Sequence, residues 1–337
     1  MNLINKSVVV TGGAGFIGSH LVDRLIEEKP SNLVVIDDFS LGKEENLASA
    51  KRKYPNLKVY KQNATRLRQM EEILRNESVD VVFNLAIEPL PKSLVEPKSG
   101  YDTNVELTSV ICELARKKFF KTLVHFSSSE AYGNAENIPM MENHPLKPTT
   151  PYGASKIASD HLVLSYVQTF DIKASIVRPF NAYGPRQNEG TYAGVIPLTI
   201  RRVFQRKSPI IYGDGLQTRD YTYVTDLADA AVRICKEEET RGRILNIASG
   251  QETTIKDLVI KIAELMNSEK PITYERARPG DVRRFFGCNL VARALIGYQP
   301  RIDLEEGLRL TITWYSDLFD QKKHGFRMRD GHRDECA

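Results

Sequence analysis

Tyr152 and Lys156, in PYGASK (151–156), give the chain its first chemical possibility. Spaced at i and i+4, they share one face of a helix. A cation beside a phenol favours the phenolate and lowers the phenol's pKa. A phenolate tuned toward neutrality can take a proton from a hydroxyl while hydride leaves the same carbon. Ser128, in FSSSEAYG (126–133), follows an apolar strand and can hydrogen-bond that hydroxyl and hold it in line. A Tyr-x3-Lys pair alone is also what a solvated surface helix shows by chance, so the rest of the chain must supply a hydride acceptor.

It does so at the N-terminus. Residues 11–18 read TGGAGFIG, a strand followed by Gly12, Gly15 and Gly18 and then a helical pattern. Glycines there allow a tight turn and close approach of backbone to a pyrophosphate. The helix N-terminus, with Phe16 and Ile17, offers free N–H groups to phosphates. Asp37 ends the next strand, 19 residues past Gly18, near the ~20 expected of the acid that bonds an adenosine ribose 2′-OH. A carboxylate there repels a 2′-phosphate, and Asp38 adds to the repulsion, so the expected cofactor is NAD rather than NADP.

These residues need a scaffold, and the pattern specifies one. Short apolar runs at Lys6–Thr11, Leu33–Asp37, Val59–Gln62, Val79–Asn84, Thr122–Ser127 and Ala174–Arg178 alternate with helical stretches, among them Ser19–Glu28, Asn104–Arg116 and Ser155–Phe170. Strands separated by helices mean βαβ units and a parallel sheet covered on both faces. Beyond Pro179 the rhythm changes. Asn181–Gly194 is a long loop rich in Gly, Pro, Asn and Tyr, a length that points to function. Helical patterns follow at Val195–Gln205, Val224–Glu237, Ile255–Met266 and Leu304–Phe319. The expected division is 1–180 for the cofactor domain, with later segments returning to it, 181–320 for a substrate domain, and 321–337 for a poorly ordered tail.

Composition limits the alternatives. Of 337 residues, 41% are hydrophobic and 27% charged, which excludes disordered and collagen-like chains. Forty-seven Lys and Arg against 43 Asp and Glu give a net +4, too small an excess to argue for nucleic acid. The four cysteines lie far apart with no CxxC, and no His has metal-ligand spacing, so reduced thiols and no metal are expected. There is no signal-peptide pattern and no apolar run near the ~18–20 residues of a membrane span. The reading is a cytoplasmic protein that does not enter membranes.

The glycine turn, Asp37, the SSSE strand end and YGASK together resemble the extended short-chain dehydrogenase/reductases that act on nucleotide sugars, the NAD-dependent epimerase/dehydratase family. The resemblance covers roughly residues 5–318. It implies an α/β fold: a Rossmann-type doubly wound parallel sheet with a smaller C-terminal α/β substrate-binding domain. It assigns catalysis to Ser128, Tyr152 and Lys156. Asn104, in DTNVEL, supports the site; Asn63, Ala64, Leu85, Ala86, Ser127 and Phe180 line the cofactor. RPFNAYGP (178–185) places Asn181 by the sugar diphosphate. GDGLQTRDYTYV (213–224), next to Tyr212, makes Arg219 a diphosphate anchor, and RPGD (278–281) offers Arg278 to phosphate and Asp281 to the ribose. Val195 would pack on the base or sugar, and Ser129 and Tyr212 also belong to the substrate-binding set that the resemblance implies. A homodimer is implied through helices 104–116 and 155–170, with Leu107, Val110, Ile111 and Leu114 as an apolar stripe.

The chain also departs from the pattern. QNAT (62–65) puts Asn63 where an Asp is usual, and an amide can still serve an adenine edge. The loop IEPLPKS (87–93) is a residue shorter than usual and carries Pro89 and Pro91. Glu130 follows Ser129, where dehydratases of the family carry Asp-Glu and sugar-acid decarboxylases Ser-Glu. The resemblance is strongest to UDP-glucose or UDP-N-acetylglucosamine 4-epimerases, in which C4 is oxidised to a ketone and reduced from the other face. The alternative is a UDP-sugar dehydratase or UDP-glucuronate decarboxylase using Glu130 after the same first step, with Arg186 available to a C6 carboxylate. A remoter one is a non-catalytic NAD-binding regulator.

Overall fold

The computed structural model describes residues 2–190, 193–277 and 281–330, with side chains as far as Gln321. In chain order its first elements are β1 (Ser7–Thr11), α1 (Phe16–Glu27), β2 (Asn32–Asp37), α2 (Ala48–Lys53), β3 (Lys58–Lys61), α3 (Leu67–Asn76) and β4 (Val81–Asn84). Then come α4 (Leu90–Ser93), α5 (Pro97–Arg116), β5 (Thr122–Phe126), α6 (Pro151–Phe170), β6 (Lys173–Pro179) and β7 (Asn181–Tyr183). The remainder is α7 (Val195–Phe204), β8 (Ile210–Tyr212), β9 (Thr218–Arg219), β10 (Tyr221–Tyr223), α8 (Val224–Lys236), β11 (Ile244–Ile247), β12 (Thr253–Thr254), α9 (Ile255–Leu265), β13 (Thr273–Glu275), α10 (Leu290–Ile296) and α11 (Leu304–Asp330).

Seven strands form one parallel sheet in the order β11-β6-β5-β4-β1-β2-β3. Apart from the added β11 this is the doubly wound order, in which ligands bind at the carboxyl ends of the strands where the winding reverses. Here the reversal lies between β1 and β4. Successive side chains on a strand face opposite ways, so Val8 and Val10 join a core layer with Leu21, Leu25 and α8, whereas Val9 joins another with Met70, Leu107, Ile111 and Val163. Both faces are thus covered, which is why the strands read as unbroken apolar runs. A third cluster, with Ile196, Ile211, Tyr223, Leu258 and Tyr315, forms around α7, α9 and α11.

Several boundaries differ from expectation for local reasons. Helix α6 starts at Pro151 rather than Ser155: Thr150 caps it, its Oγ1 accepting from Gly153 N at 3.1 Å, and Pro151 follows as a preorganised first residue. Helix α1 likewise starts at Phe16, ahead of Ser19. The expected loop 181–194 opens with β7, paired in parallel with β10. Helix α11 passes Phe319 and continues to Asp330 through part of the segment expected to be poorly ordered, because Gln, Lys, Arg and Met there favour helix. The stripe Leu107, Val110, Ile111 and Leu114 packs on the chain's own sheet and α6, since burial against a ready-made apolar face needs no second subunit.

Candidate active site

A single cleft of about 660 Å³ runs from the glycine turn to β8, β9 and Asp281. Gly12, Gly15, Phe16, Ile17, Gly18, Asp37, Asp38, Asn63, Ala64, Leu85, Ala86, Ser127, Phe180, Ser128, Ser129, Glu130, Tyr152, Lys156, Asn181, Val195, Tyr212, Arg219 and Asp281 all line it. Two expected residues do not. Asn104 stands behind the wall, and Arg278 lies outside the described residues.

At the turn, Gly12 has φ +67°, and a Cβ on it would meet Ala86 N at 2.8 Å. A Cβ on Gly18 would stand 2.1 Å from Gly12 O. The backbone is packed so closely that no side chain fits, and this leaves the helix N-terminus bare toward the cleft. That surface fits the pyrophosphate of a dinucleotide. Asp37 is buried beside it, accepting from Ala14 N and Phe39 N at 2.9 Å each. Burial raises its carboxyl pKa, and the amides of Phe39 and Ala14 oppose the rise. Asn63 is less free than expected: its Nδ2 donates to Asp38 Oδ2 at 3.1 Å and its Oδ1 accepts from Thr65 N at 2.9 Å. Its amide closes the turn after β3.

The proton-handling group lies at the ends of β5 and α6. Ser128 Oγ accepts from Glu130 N at 3.2 Å, and the Ser128 hydroxyl bonds the phenol of Tyr152. Lys156 sits one helical turn on, its ammonium 5.9 Å from the centre of the Tyr152 ring and donating to Phe126 O at 2.9 Å. The phenol's pKa is not lowered as the spacing implied. Burial pushes it well above its ordinary range, with Glu130 and Asp160 adding to the rise and only Ser128 holding it down. The cost of a charge in a dry site sets the direction, and burial likewise lowers the pKa of Lys156, to about 8. The positive charge of an oxidised nicotinamide, when bound, would favour the phenolate.

Glu130 points into the same cleft. Burial raises its pKa, Arg219 pulls it back and Asp281 pushes it up again. It therefore feels both the Tyr152 end and the Arg219 end of the cleft. Arg219 ion-pairs with Asp281 and donates to Thr218 O at 2.8 Å and Val282 O at 2.7 Å. Its guanidinium is preorganised, a fork suited to a diphosphate.

Asn104 acts on the shortened loop. Its Oδ1 accepts from Glu88 N at 2.8 Å, and its Nδ2 donates to Glu88 O at 3.1 Å and Ser155 Oγ at 3.1 Å. It clamps the loop to α6, while Glu88 pairs with Lys92 at 2.7 Å. Arg186 lines the cleft and is already ion-paired within the chain. It pairs with Asp23 on α1 at 2.7 Å, and His20, on the same helix, bonds Pro185 O at 3.0 Å. Sequence reading missed Lys43, which reaches Glu189 at 3.4 Å across the cleft mouth, and Thr150. No pattern marks the first; Thr-Pro before a helix marks the second. Among the described residues no cluster of His, Cys, Asp and Glu is arranged to hold a metal.

Comparison with known proteins agrees with this geometry. The model of the NAD dependent epimerase/dehydratase family matches residues 8–248. The UDP-glucose 4-epimerase of Mycolicibacterium smegmatis is 34% identical over 91% of this chain and 97% of its own length. The dTDP-glucose 4,6-dehydratase 1 of Escherichia coli is 32% identical over 91% of this chain and 92% of its own. The solved structure of the Thermotoga maritima UDP-glucose 4-epimerase with UDP-glucose superposes with a TM-score of 0.88 at 32% identity, covering 93% of this chain and 99% of that one. The bare glycine turn, the buried acid after β2 and the Ser-Tyr-Lys group are thus parts of one known design, and the chain belongs to the NAD dependent epimerase/dehydratase family, whose enzymes work with NAD.

Proposed function

We propose that the chain is a nucleotide-sugar 4-epimerase acting on UDP-glucose and UDP-galactose or their N-acetyl forms. The observation that carries this reading is the placement of the Ser128–Tyr152 pair midway along a cleft with a dinucleotide turn at one end and Arg219–Asp281 at the other. NAD, when bound, accepts and returns the hydride. Tyr152 takes the proton from the sugar O4 and gives it back, and Ser128 holds that hydroxyl. Lys156 and the nicotinamide charge favour the phenolate. Arg219 and Asn181 hold the diphosphate, with Asp281 on the ribose, so that the sugar alone turns to present its other face. Ser129, in place of a carboxylic acid, leaves the commonest dehydratase proton donor missing.

A second reading, dehydration or decarboxylation after the same C4 oxidation, is favoured by one observation: Glu130 is a carboxyl of raised pKa in the sugar region of the cleft. Product mass and proton NMR after incubation with UDP-glucose, UDP-N-acetylglucosamine and UDP-glucuronate separate the two. Unchanged mass with new anomeric and H4 signals is expected; loss of water or carbon dioxide overturns epimerisation. The Glu130→Gln variant is expected to keep turnover within about tenfold, since no proton at C5 has to move. A loss of about 10²–10⁴ would mark Glu130 as the acid–base group of the second reading.

We further propose a cytoplasmic homodimer joined through α5 and α6. Three cysteines are buried and unpaired, and among the described residues no helix is long and apolar enough to cross a membrane. With the leucine stripe turned inward, the contact falls to the outer faces, where Tyr101 is exposed. Light scattering at micromolar protein is expected to give twice the chain mass; a monomer refutes the dimer.

A further inference from the structure

Helix α6 carries more than Tyr152 and Lys156. Asp160 stands at the next i+4 position, so the three form one stripe along the helix. Asp160 is buried, 1% exposed, and its Oδ2 accepts from Ser127 Oγ at 2.7 Å and from the guanidinium of Arg178 on β6. Its Oδ1 has no hydrogen-bond partner. Arg178 is fully buried, its guanidinium 4.5 Å from the centre of the Tyr132 ring. A buried ion pair seldom repays its desolvation, and apolar residues of like volume would serve packing as well. Stability alone therefore gives little reason for an acid here, and its neighbours offer another. Ser127 adjoins Ser128, and the preceding carbonyl, of Phe126, receives the Lys156 ammonium.

We infer that Asp160, backed by Arg178, is a positioning residue for the reaction, setting the charge balance around Tyr152 and Lys156 and hence the pH range in which they work. The inference rests on the reading of Tyr152 as the base. Among the described residues, Lys156 faces Tyr152 and Asp160 on its own helix and His125 on β5, while Glu130, in the turn after β5, acts on Tyr152 and Arg178, on β6, pairs with Asp160. Helix α5 meets α6 through neutral Asn104 and Thr108, bonded to Ser155 and Ser159. Burial and the nearby lysine keep His125 neutral. Asp160 opposes the burial that lowers the lysine's pKa, and it also raises that of the tyrosine. One carboxylate thus moves both groups in the same direction.

The sign of the test follows. In Asp160→Asn the negative charge goes and Arg178 is left unpaired, so both pKa values fall. Phenolate then forms at lower pH and the ammonium is lost at lower pH, and the whole bell of turnover moves about 1–2 pH units toward acid. In Arg178→Met the carboxylate is unopposed and the bell moves toward alkali. Asp160→Glu restores the wild-type position. Turnover of UDP-glucose against pH reads the bell. The tyrosinate difference spectrum of NAD-loaded protein, taken against Tyr152→Phe, reads the phenol without any substrate. Opposite shifts in the two variants are expected in both readouts. Loss of amplitude with unmoved midpoints overturns the inference and leaves the pair a merely structural one. Should Asp160→Asn not fold, the double variant Asp160→Asn, Arg178→Met removes both charges; a smaller acid shift is expected, because Asp160 acts on both groups and no unpaired Arg178 adds to its loss, and an unmoved titration overturns the proposal. If Tyr152→Phe shows the same tyrosinate titration as wild type and keeps its turnover, the reading of the base has failed instead.

Discussion

Replacing Tyr152 by phenylalanine lowers turnover by about 10²–10⁴ while leaving the protein folded and its NAD content unchanged. The ring is buried, and phenylalanine fills the same space, so only the hydroxyl is lost. What disappears with it is the one group in the cleft that is bonded to Ser128 and one helical turn from the Lys156 ammonium. Ser128 loses a partner but borders the open cleft, where water replaces it, so the stability cost stays small. Without the phenol the substrate hydroxyl has no acceptor for its proton, and oxidation at C4 stalls at the first step. Absorbance of reduced nicotinamide after mixing with the nucleotide sugar reads that step directly, and the rate of product formation reads the whole cycle. Turnover close to wild type in a folded, NAD-bearing variant would refute Tyr152 as the base and favour a different proton acceptor. Glu130 would then be the first to test, as a carboxyl of raised pKa that faces both the phenol and Arg219.

The parts of this protein legible in its sequence are those governed by local rules. Val8, Val9 and Val10 must be a doubly covered strand because no residue among them is polar. Gly12 and Gly18 announce a turn with no room for Cβ, and Tyr152 and Lys156 share a face by helical period alone. What escaped depends on contacts distant in sequence. The phenol's raised pKa follows from how deeply β5, α6 and the turn after β5 enclose it, and no spacing reports that depth. The pairing of Arg186 with Asp23 exists only because the fold brings the first helix beside the turn at Pro185. Asp160 was visible in the helix but mute, because its partners Ser127 and Arg178 come from two other strand ends. The stripe on α5 shows the same limit in reverse: an apolar face says that it is covered, not by what.

The glycine turn supports the most severe test of the cofactor site. Gly18→Ala adds one methyl carbon, and in the present backbone that carbon would stand 2.1 Å from Gly12 O and 2.8 Å from Gly13 Cα. Both neighbours are main chain, so no side chain can swing aside. The turn must open, or α1 must shift away from β1. Either movement disturbs Ser19 N→Gly15 O and Gly15 N→Gly12 O, each 3.1 Å, the bonds that set the helix N-terminus against the strand end. Alanine is otherwise the better helix former, by about 1 kcal/mol over glycine, so propensity alone predicts a gain. Overpacking against rigid backbone costs about 1–3 kcal/mol and decides the sign. The consequence for function is larger than that for stability, since the surface that must approach a pyrophosphate is the one displaced. The variant is expected to be purified nearly free of NAD, to melt lower than wild type and to show no turnover until NAD is added in large excess. Gly190→Ala is the matched control: it lies in the loop at the cleft mouth, where the nearest atom to an added Cβ is the side-chain oxygen of Asn188 at 3.2 Å, and it should keep its NAD. Bound NAD is read from the absorbance of denatured protein. A Gly18→Ala variant that retains wild-type NAD would mean that the dinucleotide is held by the Asp37 end and the β4 loop instead, with the glycines serving only the packing of helix on sheet.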